Sequence, residues 1–257
     1  MDEKYIIYQY TSVETLALIL KNQNIKFTKL KLLDDPLEKY VKGISLIDGR
    51  LKKARLDLGD YCFVSCWTKE KEESISMWDM YGDRKQGVRI GLPTNMFDKK
   101  YNINDPQNIE NGNRLFKIQS NNVLPELVDI KYDRVDDPDI YGKNFGNLSI
   151  DVLGKYKLPD WEFQKEVRFR LFGCELGEEK KAHYFVPDKF NRVNNIKIDM
   201  PISNNSIFFK LDNKIISEME ILIGSNISEG SRILLDALVE RYGINPEKIH
   251  NSKFAER

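Results

Sequence analysis

Short runs of aromatic and β-branched residues recur along this chain without regular alternation with helical patterns, and that scatter limits the fold more than any other feature. Tyr5–Tyr10 (YIIYQY), Asn24–Lys29 (NIKFTK), 61–68, Gln86–Leu92 (QGVRIGL), 127–133 (LVDIKYD), 166–172 (EVRFRLF), 207–211 (IFFKL) and 219–224 (MEILIG) all read as strands. A further strand fits 114–119. Helical spacing is expected at 12–22, about 36–57, 73–82 and from Ser228 to Gly243, with a short helix after Pro93-Thr94 and a weaker one within 134–160. Strict βαβ alternation would predict a parallel sheet. Its absence predicts a single α+β domain, residues 1–257, with a mixed or antiparallel central sheet flanked by helices. The motif-bearing part spans about 5–172, and a strand–helix–strand segment at 207–250 is expected to pack on it.

Local signals support these elements. Thr11 as N-cap and Glu14 three residues on would form a capping box, and Val13, Leu16, Ala17 and Leu20 then repeat at helical spacing. Asp34-Asp35-Pro36 breaks the second strand, and Pro36 suits the first turn of the lysine- and leucine-rich stretch 36–57. Gly82 and Gly243 fall where helices end, and Ser228 falls where one begins. EVRFRLF alternates as a half-exposed strand, with Val167, Phe169 and Leu171 on one face.

Composition removes several classes of function. Hydrophobic residues make up 41% of the chain, enough to offset chain entropy without a partner. Lys+Arg and Asp+Glu both number 40, which argues against a general electrostatic grip on nucleic acid. The N-terminus lacks a basic region followed by an apolar stretch, and no run approaches the roughly 18 apolar residues of a membrane span. A cytoplasmic protein without a membrane partner is expected. Cys62 and Cys66 lie four residues apart in a strand, roughly 13 Å, too far to share one zinc. His183 and His250 have no ligand-like neighbours, so no metal site is expected.

The phosphate-binding G-x-x-x-x-G-K-[ST], the dinucleotide fingerprint G-x-G-x-x-G after the first strand, G-x-S-x-G and H-E-x-x-H are all absent. Four clusters remain. Tyr8-Gln9-Tyr10-Thr11-Ser12 carries a strand into a helix start, which offers free N–H groups to an anion or is simply two core tyrosines and a cap. Asp34, Asp35 and Glu38 are three carboxylates around a turn, suited to a divalent cation or to a solvated cap. Ser65-Cys66-Trp67 and Met77-Trp78-Asp79-Met80-Tyr81 bring aromatic residues that either stack on a flat ring or fill the core. The fourth is Trp161–Arg168 (WEFQKEVR), where alternation puts Gln164, Glu166 and Arg168 on one strand face. Arg168 would hold Glu166 anionic, and such a carboxylate can stabilise an oxocarbenium or bind a ribose hydroxyl. The alternative is a solvated face with a weak ion pair.

The order of these clusters resembles a widespread bacterial family of unknown function. Its members carry Y-x-Y-x-S, N-D-P-x-E, S-x-S, M-W-x-x-Y and W-x-Y-E-x-E-x-R in this sequence. Here the counterparts are Tyr8–Ser12, Asp34–Glu38, Ser65–Trp67, Met77–Tyr81 and Trp161–Arg168, with Gly87-Val88-Arg89-Ile90-Gly91 and Val128–Tyr132 between the last two. Asp34 stands for the usual Asn, Trp67 for Ser, Phe163 for Tyr and Gln164 for the first Glu. More distantly, the strand ending in Thr-Ser before a helix, the middle strand with Ser and the late strand with Gln-x-Glu are similar to ADP-ribosyltransferases. That resemblance implies NAD as substrate, Glu166 as the catalytic carboxylate and Gln164 orienting an acceptor. It also implies Tyr10 holding NAD, Ser65 and Tyr81 lining the nicotinamide pocket, and Arg168 beside the cofactor. The first strand lacks the usual His or Arg. The implied setting is a bacterial toxin or phage-defence effector that modifies a protein or nucleic-acid acceptor, or hydrolyses NAD.

Two other readings stand beside this one. Pro159-Asp160 followed by Glu166-Val167-Arg168 imitates the signature of a metal-dependent nuclease, although the gap is short and Arg replaces Lys. Alternatively, the aromatics form a recognition pocket of a non-enzymatic ligand-binding or interaction module, and the Glu166–Arg168 pair is structural.

Overall fold

The alternation of Ile6–Thr11 puts Ile7 on one side of the first strand and Tyr8 and Tyr10 on the other, and the fold grows from that strand. The computed structural model of the chain describes residues 4–35, 38–47, 50–100, 115–116, 124–133, 153–175, 181–187, 193–199 and 201–255. Strand β1 (Ile6–Thr11) leads into helix α1 (Val13–Asn22), which returns the chain to β2 (Asn24–Lys29). Next come β3 (Tyr40–Ile47), β4 (Arg50–Asp57), β5 (Cys62–Thr68), α2 (Ile75–Tyr81) and β6 (Val88–Pro93). The middle of the chain contributes short strands: β7 (Leu115–Phe116), β8 (Glu126–Asp129), β9 (Lys131–Tyr132) and β10 (Tyr156–Lys157). A 3₁₀ turn (Pro159–Gln164) then delivers β11 (Glu166–Phe172) and β12 (Cys174–Glu175). The rest is β13 (Lys181–Pro187), β14 (Val193–Asp199), β15 (Ser206–Lys210), β16 (Glu220–Ile223), α3 (Glu229–Tyr242) and β17 (Ile249–Asn251).

The expected α+β class is what the structure shows: a large, mostly antiparallel sheet with few helices. Its strand order is β15-β2-β5-β1-β6-β16-β17, and β11 joins β5 to β8. The C-terminal strands β15, β16 and β17 belong to this same sheet. One face of the sheet is the main core: Ile7, Phe63, Trp67, Ile90, Val167, Phe169 and Ile221 pack there with Leu16 and Leu20 of α1 and Leu235 of α3. No helix among the described residues is long and apolar enough to cross a membrane.

The sheet is split. Strand β11 pairs along the whole length of β5, from Glu166 opposite Thr68 to Phe172 opposite Cys62. That leaves β5 one other edge, which β2 takes only at Phe63 and Val64, and β1 only at Thr68. Between these two contacts β1 and β2 diverge, each held from outside: β1 by β6 over six residue pairs and β2 by β15 over five. Gln9 bridges the divergence by donating its side-chain Nε2–H to the Cys66 carbonyl at 2.9 Å.

Several expectations are corrected. The stretch 36–57 is not a helix: from Tyr40 it is the β3–β4 hairpin, in which Ile47 pairs with Arg50. The residues between them in sequence are Asp48-Gly49, a pair favoured in two-residue hairpin connections. The role expected of Pro36 lies outside the described residues, as do most of 101–126 and 134–152. Ser12 rather than Thr11 caps α1, its hydroxyl accepting from the Thr15 N–H at 3.1 Å, because Thr11 is still paired with Val88 in the sheet. No helix follows Pro93, where the chain only turns. Strand β11 is buried on both faces, since Arg168 and Arg170 are as inaccessible as Val167 and Phe169. The β13–β14 hairpin was not anticipated.

Candidate functional site

Strands β1, β2 and β5 and helices α1 and α2 meet at the split in the sheet, where a cavity of about 320 Å³ opens. Strand β1 supplies Tyr8 to Thr11 and β5 supplies Val64 to Trp67, while α1 and α2 contribute Thr15, Met77 and Tyr81. Lys157, Gln164 and Glu166 form the remaining polar wall, and Asp34 lies at the border. Five of the six residues picked from the sequence, Tyr10, Ser65, Tyr81, Gln164 and Glu166, thus meet in one cavity. The sixth, Arg168, does not line it: it is fully buried behind Glu166.

Glu166 and Arg168 share a face of β11 as alternation required, but Gln164 does not continue that strand. It ends the 3₁₀ turn, and Lys165 follows with a left-handed φ of 44° that reorients the chain. Gln164 reaches the same wall by this turn. Its Nε2–H donates to the Tyr81 hydroxyl at 2.8 Å, and its Oε1 accepts from the Lys157 ammonium at 2.6 Å.

Behind the wall lies a buried network of two carboxylates and two cations. All five N–H groups of Arg168 are used. Nε and Nη2 fork onto Glu166, Nη1 and Nη2 fork onto Glu38, and Nη1 also reaches the Gly154 carbonyl at 3.4 Å. Lys157 donates to Glu166 Oε2 at 2.7 Å and lies 3.6 Å from Glu38 Oε1. Bidentate forks of this kind are the strongest ion-pair geometry available to Arg. The Asp34–Glu38 turn is therefore neither a cation site nor a solvated cap. Glu38 is spent on Arg168, and buried Asp35 accepts the Leu158 N–H at 3.3 Å. Among the described residues no group of three or more His, Cys, Asp or Glu side chains is placed to hold a metal ion. Asp160 is exposed on the 3₁₀ turn.

The environment sets the charges. Burial works to raise the pKa of Glu166, but Arg168 and Lys157 outweigh it and leave the carboxylate below its ordinary range. For Glu38 burial wins over Arg168, and its pKa is raised. Burial also opposes the charged form of Arg168, yet Glu166 and Glu38 hold it well above its usual value. Burial pushes the Tyr81 hydroxyl up to about 12, helped by Asp34 and Glu166, so it is a neutral hydrogen-bonding group. The Tyr132 hydroxyl, also pushed up to about 12 by burial, accepts the backbone N–H of Glu166 at 2.7 Å and fixes the start of β11.

The aromatic residues divide between core and cavity. Trp78 is fully buried, edge-on to Tyr10 at 4.9 Å, with its indole N–H on Glu73 at 2.9 Å, so it is not available to stack on a ligand. Tyr10 lines the cavity, while its hydroxyl accepts the Ser74 N–H at 3.2 Å. The Ser65 hydroxyl accepts from the Trp67 indole at 3.0 Å. The sequence does not single out Lys157, and it marks Glu38 only as part of the carboxylate turn and Tyr132 only as the end of a strand segment. Lys157 carries no motif of its own, and the one clue to it is its place four residues before Trp161.

Fold and site together define an α+β protein with a split-sheet cavity backed by a buried Glu–Arg–Glu–Lys network. Residues 77–169 match the model of a family described as "Protein of unknown function (DUF2971)". The matched stretch contains most of α2, β6, the 3₁₀ turn and Glu166 with Arg168, whereas Tyr8–Ser12 and Asp34–Glu38 precede it. No curated protein and no solved structure gives a match.

Proposed function

We propose that the split-sheet cavity binds the nicotinamide–ribose end of NAD and that Glu166 assists cleavage of the glycosidic bond, in the manner of ADP-ribosyltransferases and NAD glycohydrolases. The observation that carries this reading is the convergence of Tyr10, Ser65, Tyr81, Gln164 and Glu166 on one cavity, with Glu166 kept anionic by two cations. A volume of about 320 Å³ lies at the small end of ligand pockets. It accommodates one half of a dinucleotide, with the other half outside. In the reaction the bond between nicotinamide nitrogen and ribose C1′ breaks, and its electron pair leaves with nicotinamide. The Glu166 carboxylate faces the oxocarbenium that forms, and water or an acceptor nucleophile adds to C1′ and releases its proton. Lys157, which lines the cavity, is suited to leave Glu166 for the diphosphate and so to free Oε2 for the ribose. The setting of such an activity would be a cytoplasmic toxin or phage-defence effector, with a protein or nucleic-acid acceptor if transfer rather than hydrolysis is the outcome.

The test is nicotinamide release from NAD by the purified chain, with and without protein and nucleic-acid acceptors. Glu166→Gln should retain the fold, seen as an unchanged circular dichroism spectrum, and lose release by about 10²-fold or more. Wild-type protein that releases none under any of these conditions would overturn the proposal.

One observation favours a second reading, a binding module without turnover. Glu166 already accepts three N–H bonds from Arg168 and Lys157, close to the roughly four sites a carboxylate offers. Saturable NAD binding with no nicotinamide release would select this reading.

A further inference from the structure

The Gly87–Gly91 segment takes no part in the first cavity. Its Arg89 and Gly91 instead line a second one of about 550 Å³. The ladder register sets Tyr8 and Glu220 beside Gly91, and Tyr10 and Leu222 beside Arg89, so all six positions lie on the sheet face opposite the main core. Lys71 and Glu72, in the segment after β5, also line this cavity.

Arg89 is only 7% exposed, and its direct contacts are neutral groups, although its charge is felt by Glu72. Its Nη1–H donates to the Lys71 carbonyl at 2.8 Å, and the guanidinium lies 4.5 Å from the Tyr8 ring centroid and 5.7 Å from that of Tyr10. Its Nε is the single buried side-chain nitrogen or oxygen among the described residues without a hydrogen-bond partner. Tyrosine faces offset the burial of a cation only in part, and an unmet buried donor is costly. Gly91 keeps the floor open beside it. A Cβ there would lie 3.0 Å from the Tyr8 ring and 3.1 Å from the side chains of Glu220 and Ile6.

We propose that this second cavity binds a small molecule through one oxyanion group, a carboxylate or a phosphate, docked on the guanidinium of Arg89. An oxyanion presents acceptors to a guanidinium in the planar geometry that Arg matches best. The lining carries three carboxylates, Glu72, Glu220 and Glu247, against Lys71, Lys248 and Arg89, so with His250 neutral its formal charge is zero. A formally neutral lining of this kind disfavours a chain of phosphates and leaves room for one anionic group at Arg89. Tyr8 lines both cavities, but the second site stands whether or not the first one takes NAD.

The experiment is a titration of the full-length chain with inorganic phosphate and, separately, with acetate, at constant ionic strength held by chloride. Binding is read from two-dimensional amide NMR shifts. At least one of the two anions should bind saturably, and the preference between them identifies the docking group. Arg89→Gln should weaken binding by tenfold or more. Because Arg89 is buried and its loss can unfold the chain, Glu220→Gln provides an independent reading: removing a facing carboxylate should tighten binding severalfold. The proposal is overturned if neither anion shifts the spectrum beyond the chloride control, or if Glu220→Gln binds no tighter than wild type.

Discussion

Replacing Arg168 with Met removes the centre of the buried network while filling much of the same volume. Two carboxylates, Glu38 and Glu166, then face one ammonium, Lys157, which lies 2.7 Å from Glu166 but 3.6 Å from Glu38. One buried negative charge is left uncompensated. The least costly response is protonation of Glu38, whose pKa burial already raises. Holding a carboxyl protonated in the folded state costs about 1.4 kcal/mol for each pH unit above the ordinary glutamate value near 4.3. That is roughly 3.7 kcal/mol at pH 7 and about 1 kcal/mol at pH 5. The first figure agrees with the ~3–5 kcal/mol typical of a broken buried ion pair. The sign follows from linkage: the folded variant binds one more proton than its unfolded chain, so its stability falls as pH rises. Urea unfolding of wild type and Arg168→Met at pH 5 and pH 7 measures both terms. The stability gap should widen by about 2–3 kcal/mol between the two, and at pH 7 the melting temperature should drop by roughly 8–15 °C. A gap that is independent of pH, or one below about 1 kcal/mol at pH 7, would refute the charge accounting.

Three further outcomes follow from the same structure. Glu166, with its lowered pKa, adds stability above the ordinary carboxylate range that is lost on acidification. Glu38, with a raised pKa, acts in the opposite sense, adding stability as pH falls toward the ordinary glutamate range, so Glu38→Gln should lose that gain between pH 7 and pH 4, measured by urea midpoints. Gly87→Ala should destabilise by about 1–3 kcal/mol or more in thermal unfolding, because a Cβ there would lie 2.1 Å from the Thr11 carbonyl oxygen. Burial raises the thiol pKa of Cys62 to about 12 and that of Cys66 as well, so neither should be alkylated by iodoacetamide at pH 8 without denaturant, as read by peptide mass spectrometry.

The readability of the fold varied with how local its causes are. The β1–α1–β2 opening was legible because strand and helix periods follow one another within about 25 residues, and α3 because Ser228 and Gly243 mark both ends. The β3–β4 hairpin was misread because its lysines and leucines favour helix, while the alternation in YVKGISLI and the Asp48-Gly49 pair carry the opposite signal. At the site, the shared face of Glu166 and Arg168 was legible from alternation, whereas their selection as site candidates came from the order of the motifs. Gln164 was assigned to the right wall for the wrong reason, since the left-handed Lys165 hides the break in the strand. The partnership of Glu38 with Arg168 spans 130 residues, and no local pattern signals it. The burial of that face was equally hidden, because charged residues alternating along a strand ordinarily mean solvent.

The split between β1 and β2 also bears on how such a protein can diversify. Each wall of the cavity is anchored on its far side, β1 to β6 and β2 to β15, and the two walls meet on β5 only at its ends. Substitutions at cavity-facing positions such as Gln9, Lys26 or Cys66 therefore change what the cavity accepts while those outer ladders keep their pairing. The recognition surface and the scaffold that holds it are written in largely separate residues. A chain built on this plan can vary the lining of its cavity while it keeps its sheet.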